Sequence, residues 1–258
     1  MHTLAALARK GGVGKSQIAI NLAVVAAQNG LRTLIVDVDP QATCGYWMEL
    51  REQEAAEAEN KAKEYEARGD KKAASIERAR YPKLELGVIE ISQGRMDHHI
   101  SRIQASNEVD LLIIDTAGKD GDVSIKTSKL ADYVIIPTSP SAQDIAAIAT
   151  TMDVVQNTRT PAAIVINDGQ PNSNESAEVA EYFRDPEGLN FEINDDYHVA
   201  DTYIHHRQPI RHAYRVGMGI TEYEPDGRAA AEVRAVYNFV AAKLNALQAQ
   251  NQKLKKAS

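Results

Sequence analysis

Short apolar runs, separated by longer stretches of mixed polarity, set the pattern of this chain. Thr3–Ala8 (TLAALA), Leu31–Asp39 (LRTLIVDVD), Leu86–Ser92 (LGVIEIS), Val109–Gly118 (VDLLIIDTAG), Tyr133–Pro140 (YVIIPTSP) and Ala162–Asp168 (AAIVIND) each have a strand's length, and Ala200–His205 (ADTYIH) is a seventh candidate. Runs that are apolar without alternation mark strands covered on both faces. Between them, apolar residues recur at helical spacing. Ile18, Leu22, Val25 and Ala26 share one face, and Gly30 ends that helix. A last helix is expected from about Asp226, as its N-cap, to about Gln250. Its stripe is Val233, Tyr237, Val240, Leu244 and Leu247, and the tail KLKKAS reads as frayed. Strands alternating with helices predict an α/β fold, a doubly wound, mostly parallel sheet flanked by helices. In such sheets the chemistry gathers at the carboxyl ends of the strands.

One region breaks the pattern. From Glu49 to Arg80 the chain is rich in Ala, Glu, Lys and Arg and nearly free of large apolar residues. Glu57/Lys61, Glu59/Lys63 and Glu64/Arg68 are spaced i, i+4 in the favourable order, and Gly69-Asp70 interrupts the run. Two solvated helices are expected here, a charged helical arm (49–80) inserted after the second strand of a single domain spanning 1–258. It is either a surface elaboration or an arm for a partner or a second copy.

Composition narrows the class. The 258 residues are 43% hydrophobic and 25% charged, ordinary for a globular α/β domain. Cys44 is the single cysteine, so an intrachain disulfide is impossible. The N-terminus does not resemble a signal peptide, and no apolar run approaches the roughly 18 residues of a membrane span. A cytoplasmic protein is expected. The formal net charge of −7 means that any nucleic-acid contact needs a local basic patch.

Three motifs carry chemistry, each at the end of an apolar run. GGVGKS (Gly11–Ser16) follows a strand and opens a helix, the setting of a phosphate-binding loop. Its glycines let backbone N–H groups turn toward phosphate oxygens, and the helix points its positive end at the same anion. Lys15 is expected on the β- and γ-phosphates and Ser16 on Mg²⁺. DVDPQ (Asp37–Gln41) sets two aspartates at i, i+2 on one strand face, able to hold a metal-bound water or to orient an attacking one. LLIID ends in Asp115, a Walker B pattern that places this carboxylate in the Mg²⁺ shell. The candidate metal set is therefore Ser16, Asp37 and Asp115.

A second lysine, Lys10, stands directly before the first glycine. A loop of the form KGGVGK[ST] is the deviant Walker A of the ParA/MinD superfamily, which this sequence resembles, with the short ParF-type plasmid partition proteins the nearest likeness. The resemblance covers nearly all of the chain outside the arm. It implies a P-loop NTPase fold and a homodimer that sandwiches two ATPs, each Lys10 crossing to the partner's phosphates as an arginine finger does. DVDPQAT matches the family's DxDPQ segment and gives Asp39 the water-positioning place. VIIPTSPSAQD (Val134–Asp144) and HHRQPIRHAYRVGMGITEYEP (His205–Pro225) match later segments, and Asn167 falls where the family reads adenine. The implied catalytic set is Lys10, Lys15 and Asp39, and the implied nucleotide set is Lys10, Gly11, Gly12, Val13, Gly14, Lys15, Ser16, Gln17 and Asn167. Gln17 departs from the usual second threonine, while Ser16 keeps the hydroxyl that a metal needs.

The function this implies is a Mg²⁺- and ATP-dependent dimerising ATPase for plasmid or chromosome partition. The ATP dimer would bind double-stranded DNA without sequence preference, associate with the nucleoid, and be stimulated by a ParB- or ParG-like adaptor, with filaments as a further form of assembly. Arg207, Arg211 and Arg215, at four-residue spacing, are the candidate DNA contacts, with Lys243 or the Lys253, Lys255, Lys256 tail as alternatives. The same cycle could position a non-DNA cargo. A MinD-like membrane role would need a C-terminal amphipathic helix with bulky apolar residues, where this chain offers Leu247 and Leu254. One cysteine argues against an iron–sulfur relative, and Cys44 reads as a small packing residue.

Overall fold

The computed structural model describes every residue except 119–120, 186–190, 192–193, 195 and 258. The chain runs β1 (His2–Ala6), α1 (Lys15–Gln28), β2 (Thr33–Asp37), α2 (Thr43–Ala67), α3 (Lys71–Arg80), β3 (Leu86–Glu90), α4 (Met96–Ser106) and β4 (Leu111–Asp115). It continues α5 (Gly121–Leu130), β5 (Tyr133–Thr138), α6 (Ala142–Thr158), β6 (Ala162–Gly169), α7 (Glu175–Arg184) and β7 (Tyr197–Val199). It closes with β8 (Ile204–His205), α8 (Gln208–Arg215), α9 (Ile220–Tyr223) and α10 (Arg228–Ala257). The eight-stranded sheet has the order β3-β2-β4-β1-β5-β6-β7, with β8 on β6, and its pairings are parallel.

Each face of the sheet buries its own aliphatic core. One lies under α1 and α10 and includes Leu4, Leu22, Ile35, Ile113, Val233 and Val240. The other lies under α4, α6 and α7 and includes Val36, Ile114, Ile136, Ile148 and Phe183. Both sides of β4 are thus apolar, which is why Leu111–Ile114 reads as an unbroken run. Register then sets up the site. Asp37 pairs across from Asp115, and Ala6 flanks Asp115 on its other side, so both carboxylates finish beside the loop that leaves β1.

The sequence boundaries need three corrections. Ala200–His205 is not one strand. The chain pairs with β6 first through Tyr197–Val199 and again through Ile204–His205, with a shift of register at Asn167/Gly169. The last helix starts at Arg228, where the carbonyl of Gly227 accepts from Ala231, so Asp226 is not its cap. It also runs past Gln250 to Ala257, so its end is helical rather than frayed.

The arm is a helical hairpin, and its base is not solvated. Asp70 caps α3 through Ala73, and Arg78 reaches from α3 to both Glu59 and Glu66 of α2. Ala58, Ala62 and Ala74 close the seam between the two helices. The three i, i+4 pairs lie at 3.9 Å. Nearer the sheet, Trp47 is fully buried and donates to the carbonyl of Met218. Arg51 forms a bidentate pair with Glu222, with the two side chains 9% and 2% exposed, and also donates to the carbonyl of Gly217. The free part of the arm therefore begins beyond Arg51.

Removing one member of a buried pair strands the other charge. Arg51→Ala is expected to lower unfolding free energy by about 3–5 kcal/mol in urea titration. Arg78→Ala, on the exposed seam, should change it little. Equal effects would show that the base is no anchor.

Candidate nucleotide site

The loop after β1 opens a cleft of about 620 Å³ at the carboxyl edge of the sheet. Gly11, Gly12, Gly14, Lys15, Ser16 and Gln17 line one wall. Asp39, Pro40, Gln41 and Thr43 line the second, and Ala117 and Gly118 the third. Gly12 and Gly14 sit at φ 86° and 91°, a left-handed backbone that favours glycine. Gly14 is the N-cap of α1, so the positive end of that helix faces the cleft. The first turn of α1 carries no acidic residue to oppose an anion.

Lys15 is 7% exposed. Burial pulls its ammonium below the usual lysine range, while Asp115 and Asp39 pull it back. All three groups therefore share one electrostatic neighbourhood. Asp115 is fully buried, and burial pushes it up to about 6, opposed chiefly by the Ser16 hydroxyl. Among the described residues its Oδ1 has no hydrogen-bond partner. A buried, orphaned carboxylate oxygen beside a serine hydroxyl fits a hydrated divalent cation, which would supply the missing positive charge.

Asp37 is placed differently from an open metal ligand. It is 2% exposed, and its Oδ2 accepts from the amides of Cys44 (2.8 Å) and Gly45 (3.3 Å), in the first turn of α2. Its Oδ1 accepts from the amide of Asp39 at 3.1 Å. Burial pushes Asp37 up, and these amides hold it down. Asp37 thus caps α2 from the neighbouring strand and sets the course of the Asp39–Gln41 turn. Asp39 itself accepts from the amide of Gln41 and faces the cleft.

Lys10 does not lie over its own loop. Its ammonium is 37% exposed and pairs with Asp144 at the start of α6, with Gln143 beside it. Asn167 is 1% exposed and lies behind the loop, outside the cleft lining. Its side-chain amide donates to the carbonyl of Val13, and a Cβ on Gly14 would come within 2.1 Å of the Asn167 nitrogen. Asn167 therefore braces the phosphate loop through its most constrained glycine. Val13 is itself buried and meets the site only through the backbone.

The arginine triplet is split. Arg207 precedes α8 and is bound to Glu232 of α10, which also holds His205. Its charge is neutralised in place. Arg211 and Arg215 are exposed on α8 with His212 between them, so the basic edge is smaller than the spacing suggested.

The nucleotide-binding domain family of CobQ, CobB, MinD and ParA matches residues 4–210. The chain belongs to that family. The chromosome partitioning protein ParA of Caulobacter vibrioides is 48% identical over 44 residues, 17% of this chain and 16% of that protein. The chain covers less than two thirds of the length of the curated relatives it matches. Among solved structures, a chain of the MinC:MinD cell division protein complex of Aquifex aeolicus has a TM-score of 0.66 at 13% identity, over 94% of this chain and 96% of that one. A putative plasmid partition protein of Borrelia burgdorferi bound to AMPPNP has a TM-score of 0.60 at 18% identity, over 94% and 99%. The doubly wound P-loop fold of the ParA/MinD superfamily is therefore established for this chain. Among the described residues, no helix is long and apolar enough to cross a membrane.

One residue at this site carried no signal beyond its position. Cys44 donates its thiol to Asp115 at 3.3 Å, so it is more than packing. Its place just after DVDPQ, next to the cleft-lining Thr43, was the available hint.

The Asp115 carboxyl binds its proton more tightly in the folded chain, at about 6, than at the ordinary 3.8. Between these values the native state holds more protons than the unfolded one, so this group's contribution to stability falls as pH rises. Asp115→Asn removes that cost. Without metal or nucleotide, the variant should be more stable than the parent above pH 6 by up to about 3 kcal/mol. The difference should shrink toward pH 4. A constant difference across that range would contradict the buried charge.

Proposed function

We propose that this chain is a Mg²⁺-dependent ATPase switch whose ATP-bound homodimer carries cargo on nonspecific DNA, with plasmid or chromosome partition as the favoured role. The observation that carries the reading is the pair of lysines at one phosphate loop. Lys15 is buried in the cleft, and Lys10 is turned outward onto Asp144. A lysine that does not serve its own loop is available to a second copy.

ATP would sit with its phosphates along Gly11–Gln17, its charge offset by Lys15 and the start of α1. Mg²⁺ would be held between Ser16 and Asp115, with Asp37 fixing α2 behind them, and would neutralise charge on the β- and γ-phosphates. Asp39 orients the attacking water from the opposite wall. Lys10 leaves Asp144 and crosses to the partner's phosphates, which ties hydrolysis to dimerisation. Asn167 supports the loop from behind and borders the adenine side. An adaptor protein stimulates turnover and resets the cycle. The AMPPNP bound to the Borrelia partition protein and the MinC partner of the Aquifex protein agree with a nucleotide-gated switch that meets other proteins.

The DNA face is Arg211 and Arg215, doubled by the dimer. Binding to random duplex DNA should require ATP and should weaken steeply with salt, since each neutralised phosphate adds about 0.9 to the log–log slope. ADP should not support it. Arg211→Glu with Arg215→Glu should weaken binding and reduce the slope, with nucleotide affinity intact. Binding that ignores nucleotide would contradict the switch. Absent binding together with liposome binding would favour the membrane role.

A further inference from the structure

The single cysteine joins two carboxylates. Cys44 is 0% exposed and stands in the first turn of α2. Its amide donates to Oδ2 of Asp37 at 2.8 Å, and its thiol donates to Oδ2 of Asp115 at 3.3 Å. The ligand-type atoms of Asp37, Cys44 and Asp115 lie within 4.8 Å of one another. An independent observation makes this arrangement informative: Oδ1 of Asp115 is buried and, among the described residues, unpartnered. One oxygen of the carboxylate is engaged by sulfur, and the other is left bare. Burial pushes the thiol well above its ordinary range, so it remains an S–H donor.

We infer that Cys44 is a positioning residue for the metal–nucleotide site, its thiol holding Asp115 Oδ2 so that Oδ1 stays open toward the cation's hydration shell. The inference rests on the Mg²⁺–ATP reading above. A terminal carboxylate torsion is soft, so a buried aspartate without this donor turns toward whichever donors remain. Besides the Cys44 thiol, Ser16 and Lys15 are the groups that stabilise its charge. Rotation toward them would close the position the cation needs. Because Cys44 belongs to α2, the same contact couples the metal position to the helix that Asp37 caps. No bond is made or broken, and the thiol acts only as a hydrogen-bond donor.

The test uses the full chain and a fluorescent ATP analogue, titrated with Mg²⁺ and repeated in EDTA. Cys44→Ala should raise the half-saturating Mg²⁺ concentration by about tenfold, and Cys44→Ser, which keeps a donor, should return it to within about twofold of the parent. Affinity in EDTA should be close to the parent's in both variants. The thermal midpoint of Cys44→Ala should fall, because Asp115 loses a buried donor, and Cys44→Ser should restore it. A pure packing role predicts that EDTA affinity moves with the midpoint and that serine fails to rescue. That result overturns the inference, as does a Cys44→Ala variant with the parent's Mg²⁺ dependence. The parent titration alone separates the two levels: if its nucleotide binding ignores Mg²⁺, the underlying reading fails, and the role of the thiol fails with it.

Discussion

Burying two carboxylates at the ends of adjacent parallel strands is the constraint around which this nucleotide edge is arranged. Asp37 and Asp115 are paired across β2 and β4 and are almost fully shielded from water. An uncompensated buried charge is costly, so each needs partners. Asp37 is satisfied within the fold by three backbone amides, two of them at the start of α2. Asp115 receives the Cys44 thiol on Oδ2, with the Ser16 hydroxyl beside it, and among the described residues its Oδ1 has no partner. The difference assigns their roles. The first carboxylate is satisfied by the fold's own amides, and the second has room for the cation of the proposed function. Lys15 and Ser16 stand beside the second one.

The same economy explains the phosphate loop. Its two left-handed glycines leave the backbone amides free for an anion, and that conformation needs a brace. Asn167 provides it from β6, two strands away from β1, holding the carbonyl of Val13 and lying against Gly14. Lys10 is steadied by Asp144 and Gln143 at the start of α6. In the proposed dimer, leaving Asp144 is the step that turns an intramolecular ion pair into an intermolecular phosphate contact.

The parts readable from sequence were the local ones. GGVGKS, DVDPQ and LLIID are short, each sits at a strand end, and parallel topology brings strand ends together without further information. The arm's helices were readable from charge periodicity. What was not readable involves partners far apart in the chain. Nothing near Arg207 announces Glu232, and nothing near Arg51 announces Glu222, yet these pairs turn an apparent basic edge and an apparently free arm into anchored structure. Asp37 was legible as a carboxylate facing the site, since spacing reveals which face a side chain is on, but the amides that meet it there were not. Cys44 read as packing because its contact with Asp115 exists only once β4 lies beside β2.

The central claim is that ATP drives two copies together through Lys10, and sedimentation velocity tests it most directly. The parent chain with ATP and Mg²⁺ should shift from monomer to dimer, and with ADP it should remain monomeric. Lys10→Ala should bind ATP with parental affinity and stay monomeric. A parent chain that is saturated with ATP and still sediments as a monomer, or a Lys10→Ala variant that dimerises as the parent does, would contradict the account.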